Sequence, residues 1–208
     1  MTPGRFITFE GGEGGGKSTQ IEKLADYLRG RGVSVQVTRE PGGTEVAEAI
    51  RRVLLDKSLP AMRADTELML MFAARVEHVE TLIKPALASG DWVLSDRFAD
   101  ASHVYQGAGR GVDETRLDAL HRWSLGDFEP DLTLLLDLPV EQGMARVRQR
   151  GVKDRFEEEQ TEFFERVRAG YLARAARFSQ RFRVIDASDD IDTVARRIQT
   201  VVDAWLPN

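Results

Sequence analysis

The chain has 208 residues, a formal net charge of −5 and no cysteine. Its 42% hydrophobic and 30% charged residues suit a globular α/β domain with enough mass for a real core. The acidic balance argues against a general nucleic-acid binder, and the missing cysteines exclude disulfides and thiolate metal sites. No apolar run approaches the ~18 residues of a membrane span. With a first strand expected by about Arg5, no signal peptide fits ahead of it, so the expected compartment is the cytoplasm.

The first strand is expected over Arg5–Glu10, and it runs into Gly11–Ser18, GGEGGGKS, which fits G-x-x-x-x-G-K-[ST]. A helix is expected over Lys17–Arg31, with Ile21, Leu24, Ala25 and Leu28 on one face. Strand, glycine-rich turn and helix come in the order a P-loop requires. The glycines (Gly11, Gly12, Gly14, Gly15, Gly16) let successive N–H groups curl around a polyphosphate, and the helix N-terminus adds partial positive charge. Lys17 is expected to reach the β/γ-phosphates, and Ser18, followed by Thr19, to offer its hydroxyl to Mg²⁺.

Further strands are expected at Ser34–Thr38, Trp92–Asp96, Leu132–Leu138 and Arg183–Asp186. The intervening helices are drawn at Glu45–Leu55, Ala64–Ser89, Asp113–Leu125, Val140–Arg150, Glu159–Gln180 and Ile191–Leu206. Gly30, Gly32 and Gly90 stand where helix C-caps belong. The pattern implies one domain over residues 1–208, an α/β fold with a five-stranded parallel sheet covered on both faces. A polar, glycine-interrupted stretch, Gln149–Glu158, reads as a flap between two helices. Loops at the carboxyl ends of parallel strands converge. The P-loop, Arg39 in Thr38–Thr44 (TREPGGT) and Asp96/Arg97 in Ser95–Phe98 (SDRF) should therefore share a cavity, with Tyr105–Gly111 (YQGAGRG) in the same loop region. Several cations around one cavity suit two phosphorylated ligands.

No Asn-Lys-x-Asp guanine reader follows a late strand. The motifs FEGGEGGGKST, TREPGGT, FAAR, IKPALASGDWVLSDRF, YQGAGRG, PDLTLLLDLPVE and the flap ending in DRFE span almost the whole chain. Together they resemble the bacterial thymidylate kinases, which transfer the γ-phosphate of ATP to dTMP. Another nucleoside monophosphate kinase on the same scaffold, or a regulatory nucleotide-binding P-loop protein, remains the alternative.

A nucleoside monophosphate is largely dianionic near neutral pH, its second pKa being ~6, so it can attack without a general base. His78, His103 and His121 are therefore expected to be surface or packing residues. Arg97, directly after a strand, can hold acceptor phosphate oxygens bidentately.

The resemblance implies further roles. Asp96 would organise Mg²⁺ through water, ahead of Asp137. Arg39 and Arg51 would line the acceptor side, and Glu13 would accept from the sugar 3′-hydroxyl. Arg75 would donate to a thymine carbonyl, with Met71 or its neighbour Phe72 against the base. Ser102 and Gln106 would read the opposite wall, and Tyr105 would crowd the sugar 2′ position. Where some relatives carry a P-loop arginine, Gly14 and Gly15 stand here. The missing cation is therefore expected from a lid, residues 146–158, with Arg150 and Arg155 catalytic and Arg146 supporting. Adenine is expected near Asp186–Ser188. The apolar run Leu68–Phe72 fits the family's homodimers. No nucleic-acid or membrane partner is expected.

Overall fold

Short apolar runs build a single sheet from β1 (Phe6–Glu10), β2 (Val35–Arg39), β3 (Trp92–Asp96), β4 (Leu132–Asp137) and β5 (Phe182–Asp186). All pairs are parallel, in the order β2-β3-β1-β4-β5, as the pattern implied. The computed structural model describes residues 4–150 and 160–206, without the Arg150 side chain. The helices are α1 (Lys17–Gly30), α2 (Glu45–Leu55), α3 (Ala64–His78), α4 (Lys84–Ala88), α5 (Ala99–Ser102), α6 (Glu114–Leu125), α7 (Val140–Arg150), α8 (Thr161–Arg177) and α9 (Ile191–Asp203).

Strand side chains alternate between faces, and the central strands β3, β1 and β4 are buried on both of them. Ile7, Phe9, Leu132, Leu134 and Leu136 meet Ile21, Leu24 and Leu28 of α1 and Val194, Ile198 and Val202 of α9. On the other face, Leu135 and Phe182 pack on Phe163, Val167 and Tyr171 of α8, while Phe6 and Val93 pack on Val79, Ile83 and Phe98. Each such large side chain contributes ~1.5–3 kcal/mol by leaving water. Alternation also turns the carboxyl of Glu10 inward, at the end of β1, where Phe98 N–H and Tyr171 O–H donate to it at 2.8 and 2.7 Å.

Two expectations change. The helix drawn over Ala64–Ser89 is not one regular rod: a π-helical turn, Val79–Ile83, joins α3 to α4. Val79 and Ile83 are both fully buried, and Pro85, which lacks an N–H, stands in the first turn of α4. The stretch after SDRF, expected as loop, is helical: α5 runs into a π-helical segment, His103–Gly109. It is held against α8, where Gly109 approaches the Phe163 ring so closely that a Cβ would lie 2.6 Å from it. Among the described residues, no helix is long and apolar enough to cross a membrane.

Candidate active site

The P-loop lies backbone to backbone on α7. Gly14 has φ +72°, and a Cβ there would collide with the Gly143 carbonyl; a Cβ on Gly143 would in turn collide with the Glu13 carbonyl. No L side chain fits at residue 14, which accounts physically for a P-loop without an arginine at that position. Gly16, with φ 80°, opens α1. Lys17 is buried and donates through Nζ to the carbonyls of Gly11 and Gly12 at 3.1 and 2.9 Å. Burial, and then the charge of Arg97, lower its pKa. The Ser18 hydroxyl meets Asp96 Oδ2 at 3.2 Å.

Glu13, Gly14, Gly16, Lys17, Ser18 and Asp96 border a crevice of about 470 Å³ at the carboxyl ends of β1, β2 and β3. It takes in the expected Glu13–Thr19, Arg39, Arg51, Met71, Arg75, Asp96, Arg97, Ser102, Tyr105, Gln106 and Arg146. Arg97 has a left-handed backbone, φ 70°, unusual for a side-chain-bearing residue and a form of strain that concentrates at functional sites. Its guanidinium pairs with Glu13, donates to Gly11 O at 3.0 Å and lies 4.8 Å over the Tyr105 ring. Burial opposes its charge, but Glu13 and its neighbours hold its pKa well above the ordinary value. Tyr105 O–H also donates to Glu13, at 2.9 Å. The other cations likewise lean on the protein: Arg39 on Glu48 at 2.9 Å, Arg51 on Pro41 O at 2.7 Å, and Arg146 on Ala187 O at 3.3 Å.

The far end is built differently. Arg75 is buried on α3; its Nε donates to Glu40 Oε2 at 2.6 Å, and its Nη2 to Phe98 O at 3.2 Å and Ser102 Oγ at 3.0 Å. Its Nη1 has no partner among the described residues. His78 holds Glu40 from the other side at 3.0 Å and meets Thr38 Oγ1 at 2.6 Å. Gln106 donates through Nε2 to Glu67 Oε1 at 3.0 Å. Met71 lines the crevice.

Several expected residues stand elsewhere. Phe72 does not border the crevice; it packs with Leu68 and Leu117, and the Arg75 guanidinium rests on its ring at 4.6 Å. Adjacent helical residues project about 100° apart, so Met71 and Phe72 cannot both face it. Gly11 and Gly12 border a separate small recess with Asp137, because Gly11 lies against Leu136 of β4. Asp137 is held by Arg168 at 2.8 and 2.9 Å. The histidines pack rather than lie on the surface: His78 is fully buried. Burial lowers His103 to about 3, helped by Arg174, and His121 to about 4, helped by Arg75. None of the three borders the crevice. Arg155 and the flap from 151 to 158 lie outside the described residues, as does the Arg150 side chain. Sequence reasoning missed Glu40, Pro41 and Phe98, which border the crevice. Glu40 stands in TREPGGT, a polar loop in which Arg39 is the residue whose charge suits phosphate.

The sequence model of the Thymidylate kinase family matches residues 9–198. The thymidylate kinase of Ruthia magnifica subsp. Calyptogena magnifica is 52% identical over 202 residues, covering 97% of this chain and 98% of the relative. That of Methylococcus capsulatus is 52% identical over 206 residues, 99% of this chain and 98% of the relative. The crystal structure of thymidylate kinase from Ehrlichia chaffeensis superposes with a TM-score of 0.80 at 34% identity, covering 97% of this chain and all of that one.

Proposed function

The chain belongs to the thymidylate kinase family, and from that premise we propose that its crevice binds ATP at the P-loop and dTMP against α3 and α5, transferring the γ-phosphoryl group to give ADP and dTDP. The observation that carries the placement is the Nη1 of Arg75, without a partner among the described residues, a buried donor at a crevice whose other end is the P-loop. A thymine carbonyl supplies the acceptor it lacks. Met71 packs beneath the ring through its thioether.

The acceptor phosphate needs charge neutralisation more than a base, in keeping with three histidines that all stand away from the crevice. Arg97, with Arg39 and Arg51, takes the phosphate of dTMP. Glu13 exchanges its Arg97 partner for the sugar 3′-hydroxyl, and Tyr105 closes the 2′ side. Lys17 leaves the Gly11 and Gly12 carbonyls for the β/γ-phosphates. Ser18 and Asp96, already within hydrogen-bond distance, suit Mg²⁺, which keeps most of its waters and needs only one or two protein oxygens beside phosphate. Among the described residues there is no cluster of three acids or histidines that would demand another metal. When bound, the ion would neutralise phosphate charge. Arg146, Arg150 and Arg155, in a lid over residues 146–158 of a single domain, supply transition-state charge on closure.

A homodimer belongs to the same proposal, supported by exposed Met69 and Trp123, 64% and 84% accessible. So does a cytoplasmic setting, which a cysteine-free chain suits. The test is coupled ADP release with Mg²⁺-ATP over a panel of nucleoside monophosphates. dTMP should give the highest kcat/KM; turnover that no monophosphate accelerates would overturn the reading.

A further inference from the structure

The buried polar groups around the crevice include one carboxylate that does not itself line it. Glu67, on α3, is 1% exposed, and its Oε1 accepts from both Gln106 Nε2 and Arg110 Nε at 3.0 Å. A carboxylate can only accept, so it dictates which end of the neighbouring amide faces it. Gln106 is itself 1% exposed and borders the crevice. With its NH₂ committed to Glu67, its carbonyl oxygen is the end left for a ligand. We propose that Glu67 is a positioning residue that sets the polarity of base reading by locking the Gln106 amide with its oxygen toward the crevice.

This rests on the reading of the crevice as a dTMP site and adds how the base is selected. Arg75 Nη1 supplies a donor, and the oriented Gln106 supplies an acceptor. The adjacent O4 and N3–H of thymine or uracil match that order. Cytosine presents the reverse, an amino group and a bare N3, and so meets donor with donor and acceptor with acceptor. A site that must hydrogen-bond its substrate rejects an analogue that leaves buried polar groups unpaired far more strongly than it senses a methylene, and an opposed edge acts as a built-in repulsion. An amide turned the other way would oppose the N3–H of thymine and match the bare N3 of cytosine, so its contribution would reverse without any change in the shape of the site.

The measurement is kcat/KM for dTMP, dUMP and dCMP with the full chain; dUMP and dCMP differ only along the edge in question. In the unmodified protein dUMP should exceed dCMP. E67M, which fills the space without an acceptor and lets Arg110 turn to solvent, should lower the dUMP-to-dCMP ratio at least tenfold. E67Q keeps an acceptor oxygen and should hold the ratio within about threefold. A purely structural Glu67 would lower dUMP and dCMP in proportion, and an unchanged ratio in folded E67M overturns the proposal. A second measurement does not depend on E67M folding: the side-chain amide protons of Gln106, assigned by their loss in Q106M, should exchange slowly with solvent in the unliganded chain. Rapid exchange would mean the amide is not held, and the proposal falls. If the unmodified chain turns over none of the three monophosphates, the dTMP reading fails, and the exchange measurement still decides whether Glu67 orients Gln106.

Discussion

The two ends of the crevice are built on opposite plans. At the base end, Arg75 and Glu40 are 2% and 3% exposed, and His78, Ser102 and Phe98 brace them. Among the described residues, Arg75 Nη1 is left there as a buried donor without a partner. At the phosphate end, Lys17 and Arg146 lean on backbone carbonyls, and Arg97 leans on Glu13 and the Gly11 carbonyl. On the proposed reading, those partners are exchanged when phosphate arrives. A weakly charged base edge can be read by a rigid, preformed surface. A polyanion needs several cations, which in its absence would repel one another unless the protein offers substitutes. The same residue type, arginine, is thus structural at one end and poised at the other.

If that contrast holds, removing an arginine from the base end should cost stability, while removing a cation from the phosphate end should cost rate. Arg75→Met leaves Glu40 a buried carboxylate without its guanidinium, and should destabilise the fold by ~3–5 kcal/mol, measured by urea denaturation. Lys17→Ala should lower kcat by ~10²–10³ while its urea midpoint barely moves, since among the described residues Nζ bonds two loop carbonyls and no core group. Arg150→Ala and Arg155→Ala should each depress kcat by roughly 10² with KM little changed, as for a group that acts mainly in the transition state. Steady-state kinetics separate these outcomes.

The left-handed backbone of Arg97 sharpens the contrast further. Arg97→Gly and Arg97→Ala lose the same guanidinium, yet only glycine is at ease at φ 70°. The glycine variant should be more stable than the alanine one by ~1 kcal/mol, with both nearly inactive. The smallest effect concerns Glu10, beneath the P-loop. Burial, and then the charge of Asp100, raise its pKa from 4.5 to about 7. Between those values the folded chain keeps a proton that the unfolded chain has released. Its contribution is therefore largest at low pH and declines as pH rises through about 7. Glu10→Gln cannot titrate, so its Tm relative to the unmodified protein should rise between pH 5 and pH 8. Each ~1 kcal/mol is worth ~2–4 °C at this chain length.

How far the sequence carried depended on how local each signal was. The P-loop was legible because its strand, glycine turn and helix lie within one short segment, and the parallel sheet followed from five apolar runs separated by helical patterns. The helix Ala99–Gly109 was not legible. Its glycines read as turn markers, yet Gly109 is there to let the chain approach Phe163 of α8, a contact 54 residues away in sequence. Met71 and Phe72 could not be told apart within a continuous apolar run until the helix was fixed in rotation. Glu40 and Glu67 were missed for a related reason: each acts through a partner brought together by the fold, Arg75 and Gln106, and neither stands in a motif that names its task.

The central claim is that the base end is preformed and the phosphate end is held by exchangeable partners. A crystal structure with dTMP and a non-hydrolysable ATP analogue bound tests it most directly. Arg75, Glu40, Gln106 and Glu67 should keep their present hydrogen bonds, while Arg97 leaves Glu13 and Lys17 leaves the Gly11 and Gly12 carbonyls for phosphate oxygens. A complex in which Arg97 stays on Glu13 while the Arg75–Glu40 pair breaks to admit the base would contradict the account.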